Sequence, residues 1–201
     1  MSVQTILRSL FIWATVFLIL ALAPVMRGDG DVVNGGFETG NFSGWTVNDP
    51  SGFTNIGSNP AFAHSGTFHA NLGANGLLGS LSQNLATTVG MSYNLSFWLA
   101  NDSGFPPNEF DVFWNGAPIF TSTDSAGSPY TNFTFSNLIA TGSSTLLEFR
   151  YRNDDDFFRL DDVVSTSVPE PRPTLLLGLS AFGLLAFAEY RAIRRRNAVS
   201  A

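Results

Sequence analysis

Apolar and polar side chains alternate along the middle of this chain, and this two-residue period is typical of half-buried β-strands. In residues 91–101 the apolar set that would face a core is Tyr93, Leu95, Phe97 and Leu99. Trp98 lies in the opposite phase, so we expect it on the other face of the same strand. No part of residues 28–168 carries a helical apolar stripe. The sequence therefore predicts an all-β domain of antiparallel strands packed as a two-sheet sandwich.

A second alternating segment ends at a turn signal. Trp114 shares its phase with Phe110 and Val112, so we expect its indole in the core. The next two residues, Asn115 and Gly116, both tolerate a positive φ, which a two-residue hairpin turn requires. Residues 119–121 are therefore predicted to form part of the returning strand.

The N-terminus has the composition of an export signal. Arg8 precedes an apolar run at residues 10–23, and the A-L-A at residues 21–23 resembles a small-residue cleavage site. We predict a signal peptide over residues 1–27, with an uncleaved N-terminal anchor as the alternative. Either interpretation exports the middle of the chain and leaves residues 28–167 as one folded domain.

The C-terminal segment, residues 168–201, carries a second apolar run. Residues 174–188 are apolar around the whole helix circumference, and extension to residue 193 gives about the 20 residues that a membrane-spanning helix needs. We therefore predict a transmembrane helix over residues 174–193. The basic cluster that follows favours a cytoplasmic C-terminus, and it consists of Arg194, Arg195 and Arg196.

This C-terminal segment resembles the PEP-CTERM sorting signal of Gram-negative bacteria. A Pro-Glu-Pro motif, formed by Pro169, Glu170 and Pro171, precedes the apolar helix and the basic cluster in the order that the signal requires. The resemblance implies that an exosortase, a membrane-embedded cysteine protease, processes the chain at the inner membrane. It also implies transient anchoring there, followed by transfer to the cell surface or the extracellular matrix. A plain single-pass tail anchor is the alternative.

The domain is strongly acidic and has no cysteine. Between residues 31 and 168 thirteen carboxylates stand against three arginines, and the chain has no lysine. Disulfides and thiolate metal sites are therefore excluded. Because nucleic acid and anionic membrane surfaces carry dense negative charge, we expect neither to bind this domain. Neutral glycans and divalent cations are compatible with its charge.

Three short segments of the domain resemble the galactose-binding-like jelly rolls found among carbohydrate-binding modules and PEP-CTERM proteins. Residues 34–45 begin N-G-G-F-E and end G-W, residues 65–67 read S-G-T, and residues 158–163 read F-R-L-D-D-V. The resemblance spans about residues 31–165. It implies an antiparallel jelly-roll β-sandwich whose first and last segments lie close together, with Trp45 packed inside.

The same resemblance implies a structural calcium ion that ties the opening and closing segments together. Calcium prefers carboxylate and carbonyl oxygens. The matching positions in this chain are Glu38 in the opening motif and Asp161 and Asp162 in the closing motif. The alternative is that these carboxylates are solvated, or that they pair with Arg159.

Glycan binding is the leading activity, and Trp98 is the candidate platform because flat aromatic faces stack on sugar rings. The loop at residues 102–108 could frame a groove beside it. The alternative is that Trp98 only packs beneath a loop or against the second sheet.

Catalysis has little support in the sequence. His64 and His69 are five residues apart, and on one strand this odd spacing would place them on opposite faces, which disfavours a shared metal. Glu109 and Asp111 share a strand face, but nothing marks them as an acid and base pair. We therefore expect no enzyme. The predicted function is an exported structural or adhesive protein of the cell surface or matrix, associated with extracellular polysaccharide. A carbohydrate-binding module with one defined sugar is the first alternative, and a small jelly-roll hydrolase is the second.

Overall fold

The computed structural model describes residues 30–168, and this part of the chain consists of strands joined by turns and loops. The strands in chain order are β1 (Thr46–Asn48), β2 (Asn55–Gly57), β3 (His69–Leu72), β4 (Gly79–Ala86), β5 (Ser92–Asn101), β6 (Asn108–Trp114), β7 (Ala117–Thr123), β8 (Ser128–Ile139), β9 (Ser144–Asn153) and β10 (Phe158–Val168). The predicted signal peptide and the predicted sorting segment from Pro169 onward lie outside the described residues. Within the described residues, no helix is long and apolar enough to cross a membrane.

The ten strands form two five-stranded sheets in which all neighbouring strands are antiparallel. Sheet A has the order β1-β4-β9-β6-β7, and sheet B has the order β2-β3-β10-β5-β8. Strands that are neighbours in a sheet are often distant in sequence, as in the pairing of β10 with both β3 and β5. This arrangement confirms the all-β, two-sheet prediction and is consistent with the predicted jelly roll.

Aromatic side chains from the two sheets meet between them and form the core. Phe97 on sheet B contacts Phe149 on sheet A edge to face, with ring centroids 5.2 Å apart, which is a favoured aromatic geometry. Trp114 is 4 % exposed and Trp45 is 8 % exposed, so both tryptophans pack in the core as predicted. The predicted hairpin also forms, since Asn115 and Gly116 both have positive φ between β6 and β7.

Both ends of the described chain lie at one end of the sandwich, here called the terminal pole. Gly30 lies against the ring of Tyr93 near the start of β5, and Val168 pairs with Ser92 on the same strand. The opposite end, here called the distal pole, carries the loops at residues 73–78, 102–107 and 154–157. Two hydrogen bonds join the first and third of these loops. The side-chain amide of Asn75 donates to the backbone carbonyl oxygen of Asp154, and the backbone N–H of Gly76 donates to Asp154 Oδ1.

Candidate functional site on the outer face of sheet B

The outer face of sheet B is covered by the loop at residues 58–68, here called the covering loop, which connects β2 to β3. Its backbone is held by carboxylates rather than by another strand. The N–H groups of His64 and Ser65 donate to Asp161 Oδ2 at 2.9 and 3.2 Å. The Ser65 hydroxyl donates to Asp162 Oδ1 at 2.8 Å. Since charge-assisted hydrogen bonds are stronger than neutral ones, these contacts attach the loop firmly to β10.

A β-bulge explains how two consecutive aspartates can hold the same loop. Neighbouring residues of a regular strand point to opposite faces, but the pairing of β10 with β5 shifts register between Asp161 and Val164. Asp162 has a φ of 48°, so the chain turns locally at this position. The extra residue of a bulge re-aims side chains, and here both carboxylates reach the covering loop.

Glu38 holds the other end of the covering loop. Its Oε1 accepts hydrogen bonds from the backbone N–H groups of Thr67 and Phe68, both at 2.9 Å. Gly66 lies directly against this carboxylate, where a Cβ would overlap it, and its φ is +61°. Glycine at position 66 therefore lets the loop close over Glu38 without strain.

Two of the three carboxylates predicted as metal ligands, Asp161 and Asp162, lie together beside Gly36, whereas the carboxylate of Glu38 turns toward Gly66. A Cβ at position 36 would lie 3.3 Å from Asp162 Oδ1, 3.8 Å from Asp161 Oδ1 and 3.9 Å from Glu38 Cγ. Asp161 is fully buried, and burial raises its pKa to about 6. A cation at this point would offset the cost of charging it.

The same carboxylates already accept hydrogen bonds from the covering loop, so their free oxygen capacity is limited. Across residues 30–168, no three histidine or acidic side chains lie together as a metal-binding group. The donor set fits calcium only if backbone carbonyl oxygens supply the remaining ligands, as they commonly do for this ion. Calcium binding therefore stays a prediction.

Trp98 lies on the outer face of sheet B, in antiphase to the core residues of β5, and its indole is half-buried under the covering loop. The imidazole of His64 stacks on it, with ring centroids 3.8 Å apart and planes at 14°. His64 Nδ1 also lies 2.7 Å from Asp162 Oδ2, and Tyr130 meets the imidazole edge to face at 5.5 Å. Trp98 is thus the base of an aromatic cluster with His64 and Tyr130. Its role as a glycan platform stays a prediction.

A cleft of about 450 Å³ opens beside this cluster, toward the distal pole. Tyr130 and Ser128 line it on the β8 side, Arg159 and Asp102 line its floor, and Ala63 of the covering loop lines the opposite wall. Burial, and then the negative charge of Asp161, raises the pKa of the Tyr130 hydroxyl, so this group stays a hydrogen-bond donor. It donates to the carbonyl oxygen of Phe62 at 3.0 Å. The cleft therefore combines one aromatic wall with a polar floor.

The polar floor is an ion pair that no pattern in the sequence indicates. Arg159 Nε donates to Asp102 Oδ2 at 2.7 Å, and the guanidinium lies 4.6 Å above the ring of Phe62. The alternative in which Arg159 pairs with the closing aspartates is not what the structure shows. Of the predicted groove loop at residues 102–108, only Asp102 lines the cleft.

The two histidines do not share one strand, contrary to the geometry considered from the sequence. His64 lies in the covering loop, whereas His69 is the first residue of β3. His69 is 2 % exposed, and burial followed by the charge of Arg159 lowers its pKa. Nothing in the sequence distinguishes His64 and Tyr130 from ordinary loop and strand residues, because their contacts with each other depend on how residues 58–68 fold back over the sheet.

Comparison with known proteins gives a fold and no family. No protein-family model matches this sequence, and no curated protein matches it. The carbohydrate-binding module TmCBM61, solved in complex with β-1,4-galactotriose, is similar in structure, with a TM-score of 0.54 and 18 % identity. That similarity covers 67 % of this chain and 97 % of the module.

The CBM22-1 xylan-binding domain of Xyn10C from Paenibacillus barcinonensis is also similar, with a TM-score of 0.50 and 16 % identity. Here 73 % of this chain and 100 % of that domain are covered. At these identities the likeness concerns the fold alone. Residues 30–168 therefore form a β-sandwich of the kind found in carbohydrate-binding modules.

Proposed function

We propose that this chain is an exported cell-surface or matrix protein whose β-sandwich associates with extracellular polysaccharide through the cleft on sheet B. The observation that carries the proposal is the cleft itself, with an aromatic wall, a polar floor and access to solvent. Ligand sites usually combine apolar walls with a few polar groups that fix orientation. The fold likeness to carbohydrate-binding modules supports the proposal without deciding it.

The side chains of the cleft match the chemistry of a sugar. The ring of Tyr130 offers an apolar face to the C–H groups of a pyranose. Arg159 and Asp102 together offer donors and acceptors to neighbouring hydroxyls. Trp98 supports this surface from below through its stack with His64. Because residues 31–168 contain thirteen carboxylates and only three arginines, a neutral glycan is favoured over an anionic one.

Binding of the domain to a panel of neutral oligosaccharides, measured by calorimetry, tests the proposal. Tyr130→Ala should weaken binding about 10- to 30-fold, equivalent to about 1.5–2 kcal/mol for loss of a central aromatic contact. Trp98→Ala should weaken binding less, because Trp98 does not line the cleft and acts through its stack with His64. Phe113→Ala is the matched control, because Phe113 lies on sheet A under Arg150. Equal losses of affinity in all three variants, or no binding to any glycan, would refute glycan binding through the sheet B cleft.

The same experiment separates the alternatives. A saturable affinity for one sugar identifies a carbohydrate-binding module in the strict sense. Weak binding to many glycans identifies a structural or adhesive matrix component. Release of reducing sugar from a bound glycan would instead identify a hydrolase. We propose no catalytic role for the domain.

Export and sorting complete the proposal. The motif at Pro169, Glu170 and Pro171 would be recognised by an exosortase, and the cluster Arg194, Arg195 and Arg196 would hold the C-terminus in the cytoplasm. Replacement of the three motif residues by alanine should retain the chain at the inner membrane. Fractionation of cells with and without an exosortase provides the measurement. Retention of the unmodified chain at the inner membrane in both kinds of cell would support a plain tail anchor, and unchanged surface delivery of the variant would refute a role for the motif.

A further inference from the structure

Strand β8 is an open edge of the sandwich. It is the last strand in the order of sheet B, with β5 on one side and, among residues 30–168, no strand on the other. With twelve residues it is also the longest of the ten strands. An edge of this length presents a row of backbone N–H and C=O groups that can pair with another strand.

The features that usually protect an edge are present only at the two ends of β8. Pro129 lies at its second position, and a register shift with Asn137 at a φ of 61° bends it near its end. The segment between the register shifts at the two ends, residues 131–135, contains no proline, no bulge and no charge. Since charge, proline and bulges are the common protections, this middle segment is free to pair.

The charge distribution indicates what can pair with it. No charged residue occurs between Asp124 and Glu148, although the domain as a whole is strongly acidic. Two copies of such a domain repel each other over most of their surface. The neutral side of the sandwich formed by β7 and β8 is where they can approach, and there Phe120 of β7 packs on Phe133 of β8 at 5.0 Å.

We propose that β8 pairs antiparallel with β8 of a second copy of this chain. Such a contact is self-complementary, so one two-fold axis closes the pair and joins the two B sheets into one. The outer faces of both sheets then point the same way, and both clefts lie on one surface. The pairing does not depend on the proposed glycan site, but two clefts on one surface would raise avidity for a polymer.

Cysteine cross-linking of the full chain tests this pairing, since the chain contains no cysteine of its own. Asn132→Cys and Thr134→Cys place thiols on the outer face of β8, opposite Trp98 and Ser96 of β5. Asn84→Cys, at an exposed position of the interior strand β4, is the matched control. With a short bismaleimide in mild detergent, the two β8 variants should give several-fold more covalent dimer than the control.

A charge variant checks that the contact is the β8 edge. Thr134→Asp puts two like charges across the pairing and should reduce dimer formed by Asn132→Cys several-fold, whereas Asn84→Asp should not. Circular dichroism of each variant shows that the sandwich is intact. Cross-linking at β8 no greater than at position 84, or unaffected by Thr134→Asp, overturns the proposal. If β8 instead pairs with a strand of another protein, cross-linking between copies at β8 would likewise be no greater than at position 84.

Discussion

Gly35 shows how a single residue ties the opening segment to the last strand. The backbone N–H of Val163 donates to the carbonyl oxygen of Gly35 at 3.0 Å, and a Cβ on Gly35 would overlap the carbonyl oxygen of Val163. Because the obstacle is backbone, it cannot rotate away. We expect Gly35→Ala to lower the free energy of unfolding by about 3 kcal/mol, at the upper end for overpacking. Urea unfolding of residues 28–168 measures it.

Gly52→Ala is the control for this prediction. Gly52 has a φ of +75°, but no atom lies within 4 Å of its would-be Cβ. Its replacement should cost only the left-handed backbone penalty of about 1 kcal/mol. Equal costs at both positions would mean that the close approach between Gly35 and Val163 does not constrain the fold.

Asp161 should make the stability of the domain depend on pH. Burial raises its pKa from 3.8 to about 6, so the folded state holds this proton more tightly than the unfolded state. Protonated Asp161 therefore adds at most about 3 kcal/mol to the free energy of unfolding. This stabilisation is complete below about pH 4 and is lost as the pH rises to about 6. Asp49 and Asp154, with pKa values lowered to about 2, change stability only below this window.

Urea unfolding between pH 4 and pH 7 in the presence of a chelator measures this dependence. Asp161→Asn should flatten the decline, because the titrating group is gone, whereas Asp155→Asn at an exposed loop position should leave it unchanged. A decline of equal size in Asp161→Asn would assign it to other carboxylates, such as Glu109, whose pKa is also raised by burial.

At the level of elements, the opening segment, the covering loop and β10 are joined through three carboxylates, and this is where calcium would act. Calcium should raise the melting temperature of the domain relative to chelator, because binding to the native state alone is stabilising. Glu38→Gln should remove that rise by deleting a charged ligand. Glu148→Gln is the control, since Glu148 pairs with Arg150 on sheet A. No calcium-dependent rise in the unmodified domain would exclude the ion.

The strand pattern could be predicted from the sequence, but the geometry of the candidate site could be predicted only in part. The phase of Trp98 against Leu95 and Phe97 gave its face correctly, because a strand alternates by covalent geometry alone. The same rule gives the wrong result for Asp161 and Asp162, which it would place on opposite faces. A bulge is a property of the strand pairing, and the sequence of one strand does not encode it alone.

The covering loop was harder still to predict. Its contacts join His64 to Asp162, and Tyr130 to Phe62, at sequence separations of 98 and 68 residues. Loop residues of this kind carry no periodic signal. Only the resemblance to galactose-binding-like jelly rolls identified Glu38, Asp161 and Asp162 as one set. The Arg159–Asp102 ion pair and the stacking of His64 on Trp98 became visible only in the structure.

For the whole molecule, the two poles of the sandwich carry different features. Both ends of the described chain leave from the terminal pole, near Tyr93 and Val168, where the predicted membrane segments would continue. The cleft begins at Ser128 and Arg159, toward the distal pole. An anchored domain would therefore present its cleft away from the membrane, toward the polysaccharide.

Labelling of spheroplasts, from which the outer membrane has been removed, tests this orientation while the chain is anchored. Leu77→Cys places a thiol in an exposed loop of the distal pole, and Val89→Cys places one in an exposed turn of the terminal pole. The two positions have similar exposure in the isolated domain, 61 % and 65 %, so free protein should react equally at both. On spheroplasts, a large polyethylene glycol maleimide should label position 77 several times faster, because the inner membrane blocks its approach to the terminal pole. Equal rates on spheroplasts would show that the domain does not stand on its terminal pole.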